Sequence, residues 1–94
     1  MKNNNNFTLI DGVFTPQEAR EVLLNIFNSK IRFHKAKIFS FRERNGIEDE
    51  ASNTRVLQLK NTMEKLELFI NQCEQDGEKL TVKSEIAITL NSLA

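Results

Sequence analysis

Six basic side chains crowd one short stretch of this 94-residue chain. Lys30, Arg32, Lys35, Lys37, Arg42 and Arg44 stand against a single acid, Glu43, which gives residues 30–44 a local charge of +5. Residues 45–94 carry five basic and nine acidic groups, or −4. Phe33, Phe39 and Phe41 are interleaved with the basic positions. Cationic groups hold phosphates and aromatic rings stack on bases, so the stretch fits nucleic acid or an acidic protein partner. The alternative is structural: on a helix these phenylalanines mostly face inward, and the basic groups form a solvated face matched by acids elsewhere in the chain. The whole chain is formally neutral, which argues against a general electrostatic grip on nucleic acid or anionic lipid.

The remaining candidates for chemistry are few. His34 is the only histidine, so a multi-histidine metal site is excluded, and Cys73 is the only cysteine, so an internal disulfide is excluded too. A His34–Cys73 pair would need an accessible, activated thiol. Both residues fall instead on apolar stripes, where a cysteine behaves as a small inert hydrophobe. Asp11-Gly12 and Glu48-Asp49-Glu50 lack the alternating oxygen ligands of a calcium loop and are explained by turn and helix-start chemistry. There is no glycine-rich phosphate cradle, no Walker lysine and no Cys-x-x-Cys. The expectation is a non-enzymatic protein with no catalytic residue, no metal site and no cofactor.

Which elements must position these residues follows from spacing. Thr15, Pro16 and Glu18 form the signature of a capping box with proline at the first helical position, and Phe14 and Ala19 stand where a hydrophobic staple belongs. Leu23, Phe27, Ile31, His34, Ile38 and Phe41 then recur at intervals of four and three, predicting one helix from Pro16 to about Arg44, roughly 43 Å long. The β-branched and aromatic density of Ile31–Phe41 also fits a break or a local hairpin, but the absence of glycine or proline before Gly46 favours the helix. Asn45-Gly46 marks a turn. Val56, Leu59, Met63, Leu66, Ile70 and Cys73 trace a heptad seam, predicting a second helix near Ala51–Asp76 with Gly77 as its C-cap. Two comparable helices joined by a short polar turn make a helical hairpin.

Beyond Gly77 the period changes from helical to two. Leu80, Val82, Ser84, Ile86, Ile88 and Leu90 alternate with Thr81, Lys83, Glu85, Ala87, Thr89 and Asn91, which predicts a strand; a third helix fits this spacing poorly. Phe7-Thr8-Leu9-Ile10 reads as a short strand ended by the turn pair Asp11-Gly12. The fold class is therefore α+β, in the order β-α-α-β, with a short N-terminal and a longer C-terminal strand. A strand of about eleven residues cannot be satisfied by a partner of about four, and two-stranded ribbons are marginal alone. A homodimer pairing C-terminal strands across a two-fold axis is the expected remedy.

Length and composition fit this scheme. Ninety-four residues make one domain, taken as 7–94, after a polar tail over 1–6 expected to be disordered. So short a chain has a thin core, with little room for a deep cavity. No apolar run approaches the roughly 18 residues of a membrane span, and Met1–Asn6 lacks the apolar stretch of a signal peptide, so a cytoplasmic address and no membrane contact are expected.

The run Ile10-Asp11-Gly12-Val13-Phe14-Thr15-Pro16-Gln17-Glu18-Ala19, followed by Lys30-Ile31-Arg32-Phe33-His34, resembles a pattern in small uncharacterised bacterial proteins: an "IDGxFxxxEA" start to a helix and a "KIxFH" segment along it. The resemblance covers the first half of the chain and implies no activity. The head–tail joining proteins of bacteriophages also combine two helices with a β-ribbon, but theirs lies between the helices, whereas here the clearest strand follows both. Taken together, the residues point to a homodimeric protein-protein interaction or structural module, with nucleic-acid binding or regulation through residues 30–44 as the alternative.

Overall fold

The computed structural model describes residues 4–91, in the order β1 (Asn4–Phe14), α1 (Pro16–Asn45), α2 (Glu50–Asp76) and β2 (Leu80–Thr89). This is the β-α-α-β arrangement that the change of period predicts. Each helix begins and ends on a specific device. The Thr15 hydroxyl accepts from the Glu18 amide at 3.1 Å, and the Glu18 carboxylate accepts from the Thr15 amide at 2.9 Å, completing the capping box. Asp49 caps α2 twice through Ser52, accepting from its amide at 3.2 Å and from its hydroxyl at 2.8 Å. Gly46 and Gly77 close the helices at φ 70°, in the left-handed region that glycine enters without a Cβ clash.

Helix α1 runs unbroken through Ile31–Phe41. The aromatic and β-branched residues there do not stop it, because Ile31, Ile38 and Phe41 lie on the face that packs against α2, and burial outweighs a small propensity deficit. Ile31, Val56 and Leu59 form the buried centre, with Phe27, Ile38 and Met63 packed around it. Towards the open end of the hairpin Ile70 is fully enclosed, and Ala19 and Cys73 are buried.

The strands differ from expectation in extent. β1 is not a short strand ended by a turn: it continues through Asp11 and Gly12 to Phe14 and back to Asn4. The tail predicted over 1–6 is likewise corrected for Asn4–Asn6, which pair with Thr89, Ile88 and Ala87, while Met1–Asn3 lie outside the described residues. Asparagine and glycine are weak strand formers, but ladder hydrogen bonds come from the backbone, and the strongly β-forming partner strand supplies them. The two strands are antiparallel and make a two-stranded sheet, so β2 is paired with its own β1 along its whole length.

One irregularity sets the faces of this ribbon. Thr8 pairs with Glu85 and Ile10 with Ser84, leaving Leu9 as a bulged extra residue. Residues paired directly share a face. The bulge therefore brings Phe7 onto the same side as Ile10, Gly12 and Phe14, opposite Ile86, Ser84, Val82 and Leu80.

The molecule is extended. Its radius of gyration is 17.0 Å, against about 12 Å for a compact chain of this length. Its accessible surface of 7503 Å² exceeds the roughly 5,600 Å² typical of a compact 10.9 kDa monomer. The extents of 50 × 39 × 14 Å describe a flat body in which the ribbon reaches out from the open end of the hairpin.

Candidate functional site

The six basic residues all lie on α1 and all are exposed, but they do not form one patch. At 100° per residue, Lys30, Lys37 and Arg44 recur every seven positions on one flank of the buried stripe, with Phe33 among them. Arg32, Lys35 and Arg42 follow the other flank, with Phe39. Phe33 and Phe39 are exposed, contrary to the inward orientation expected of most of these rings, whereas Phe41 is half-buried. Lys30 Nζ stands 5.6 Å from the centre of the Phe33 ring, a cation–π contact. Arg32 donates to the Ser29 hydroxyl at 3.2 Å, and Arg42 forms an ion pair with Glu48 in the turn.

Antiparallel packing decides how far these charges are matched inside the chain. Residues 30–45 lie beside the first half of α2, which contributes Glu50, Arg55 and Lys60, and beside the acids Glu48 and Asp49 of the connecting turn. The acids Glu64, Glu67, Glu74 and Asp76 belong to the other half of α2, next to Arg20, which donates to Asn71 at 2.8 Å and to Glu74 at 3.1 Å. The hairpin thus has a basic turn end and an acidic open end. His34 registers the former: burial, then the charges of Lys30, Arg55 and Lys37, hold its imidazole below the ordinary value of 6.5, against a weaker opposing effect of Asp49. Its Nδ1 is buried without a partner, and the Phe33 ring meets the imidazole edge-on at 5.2 Å.

The His34–Cys73 pair does not form. His34 lies near Arg55, and Cys73 is eighteen residues further along α2, about 27 Å at the helical rise. Cys73 is itself buried. Among the described residues no group of three or more histidine, cysteine, aspartate or glutamate side chains could hold a metal ion. Asp49 is engaged as the cap of α2, Glu48 with Arg42 and Asn53, and Asp11 stands opposite Lys83 in the ladder. No helix among the described residues is long and apolar enough to cross a membrane.

A second surface emerges from the ribbon. The base of its apolar face meets the helices: Ile10 is buried, and Phe14, Leu80 and Val82 are half-buried. Between this base and the hairpin lies an open groove of about 380 Å³, lined chiefly by Leu23, Leu66, Phe69, Ile70, Leu80 and Val82. Towards the tip the same face is bare, with Phe7 53%, Ile86 41% and Ile88 50% exposed. Each strand also has one edge unpaired within the sheet. That of β1 is interrupted by the Leu9 bulge, while that of β2 is regular over ten residues. No protein-family model, curated protein or solved structure matches this chain.

The apolar face of β2 was evident from alternation, but its continuation onto β1 was not. The available signal was the broken parity of the first strand, where Phe7 and Leu9 precede Ile10 and Phe14 at odd and then even positions. A bulge at Leu9 is the simplest way to place Phe7 on the side of Ile10 and Phe14.

Proposed function

We propose that this chain is a small non-enzymatic interaction or structural module that works as a homodimer through its C-terminal strand. The strand-length mismatch that first suggested dimerisation is absent, since β1 and β2 are equally long to within one residue. What supports the reading is the bare apolar tip of the ribbon beside a regular open edge. A two-stranded ribbon is marginal in water, and an exposed edge with an apolar face is a surface that soluble proteins pair or cover. The surplus surface of roughly 1,900 Å² exceeds the ~800 Å² that each partner gives to an ordinary interface. Sedimentation velocity at micromolar concentration, with amide exchange over residues 80–89, tests it. A dimer with protected β2 amides is expected; a stable monomer with an ordered ribbon overturns the proposal.

A second reading, nucleic-acid binding or regulation through Lys30, Arg32, Lys35, Lys37, Arg42 and Arg44, is favoured by the position of the acids at the far end of the hairpin. Exposed Phe33 and Phe39 add surfaces for stacking. A DNA or RNA mobility shift that weakens steeply with salt supports it. Salt-independent retention, or none at low salt, eliminates it.

A further inference from the structure

The geometry points to a single register for the dimer: we infer a four-stranded sheet, β1–β2–β2–β1, with the two-fold axis passing through Ser84. The inference rests on the dimer reading above and specifies its contacts. The second copy docks on the edge of β2 and not of β1, because the Leu9 bulge interrupts the ladder that a second β1 would need.

A two-fold axis normal to the sheet keeps each face on its own side, so even-numbered residues of β2 pair only with even-numbered ones. Two such registers use nine residues of Leu80–Thr89, the others fewer: one centred on Ser84, one on Glu85. Charge separates them. Centred on Glu85, the two Glu85 carboxylates face each other directly, and like charges directly opposite are destabilising. Centred on Ser84, Lys83 of each copy stands opposite Glu85 of the other. Because Lys83 already faces Asp11 within its own ribbon, the polar side becomes a row of alternating sign: Asp11, Lys83, then Glu85 of the second copy.

The same register resolves the bare tip. It sets Ile86 beside Val82 of the other copy and Ile88 beside its Leu80. The uncovered end of each ribbon then lies next to the end that the other copy's helices already cover, where the groove lined by Leu66 and Phe69 opens. Both hairpins fall on one side of the sheet, and the two serines meet on the axis, a pairing that sheets favour through hydroxyl contacts.

Oxidative cross-linking of single-cysteine additions reads the axis, with the wild-type chain as the control for buried Cys73. Ser84→Cys is expected to form an intermolecular disulfide about ten-fold faster than Lys83→Cys or Glu85→Cys, since only residues paired with themselves approach to disulfide distance. A dimer in which Glu85→Cys is fastest, or in which Ser84→Cys is no faster than Lys83→Cys, overturns the register and leaves the dimer standing. A monomer in sedimentation overturns both. Glu85→Gln gives an independent sign. It weakens the dimer if Glu85 faces Lys83, and tightens it, overturning the inference, if Glu85 faces itself.

Discussion

Phe7 stands directly across the ribbon from Ile86, on the side of the sheet that also carries Ile10, and it does so because Leu9 is an extra residue in its strand. The two rows of apolar side chains therefore coincide along the ribbon, buried at Ile10 and open to water at Phe7 and Ile86. Nothing within the described chain covers this open end.

Replacing Ile86 by aspartate separates the role of this face in association from its role in folding. Ile86 is already 41% exposed in one copy, so the isolated chain should keep its helices and near-native circular dichroism. Covering the exposed part of Ile86 in both copies is worth about 1–2.5 kcal/mol per dimer, so the dimer dissociation constant should rise about ten- to fifty-fold. Sedimentation equilibrium measures it. Ile10→Asp is the contrasting change: it places a carboxylate in a buried site and should unfold the ribbon itself.

Deleting Leu9 should preserve both faces, because Thr8 and Ile10 already flank it in register with Glu85 and Ser84. What changes is the outer edge of β1, which becomes regular. A ribbon with two regular edges can extend in both directions. Size-exclusion chromatography should show concentration-dependent species beyond the dimer; an unchanged profile would mean that the bulge does not guard this edge.

Some of this fold was legible from residues alone because the signals were local. Thr15, Pro16 and Glu18 specify a helix start within four positions, and the seam Val56–Cys73 announces which side of α2 is buried; both are found where the spacing puts them. Asn4–Asn6 and Asp11-Gly12 misled because their preferences are weak and their strand is imposed from outside, by Ala87–Thr89 and by Val82 and Lys83, seventy residues or more away. The basic residues were legible as a composition but not as a surface: heptad spacing divides Lys30, Lys37 and Arg44 from Arg32, Lys35 and Arg42. Which acids neutralise them depends on the antiparallel packing, which places Glu64–Asp76 at the opposite end.

Thr15→Ala removes the hydroxyl that satisfies the Glu18 amide and leaves the Glu18 carboxylate as the only member of the box. Loss of such a cap costs about 1 kcal/mol, which for a domain of this size lowers Tm by roughly 4–8 °C. Thr15→Ser should recover most of the difference, since the serine hydroxyl reaches the same amide. Thermal melts of the three proteins at one concentration check both statements.

His34 gives the chain an acid-sensitive step near neutrality. Burial and the neighbouring charges of Lys30, Arg55 and Lys37 depress its affinity for a proton in the folded state below that of an unfolded histidine, near 6.5. The unfolded chain therefore binds more protons as pH falls through 6.5, and folding stability declines from there until the folded imidazole also titrates. Above that window the contribution is complete. Asp49 acts lower: hydrogen bonds from the Ser52 hydroxyl and amide hold its carboxyl below 3.8, so its stabilisation is present above that value and is lost as pH falls through the folded value. Urea midpoints at pH 7.5, 5.5, 4.5 and about 3 separate the two, since only the last falls in the Asp49 window. His34→Leu should flatten the decline between 7.5 and 5.5 and relieve the unpartnered Nδ1. Asp49→Asn, which keeps a capping oxygen without a titrating one, should retain that decline, slightly deepened because a charge favouring the imidazolium is gone, and should change the behaviour below pH 4. A His34→Leu protein that loses as much stability as wild type between pH 7.5 and 5.5 would assign the step to another group.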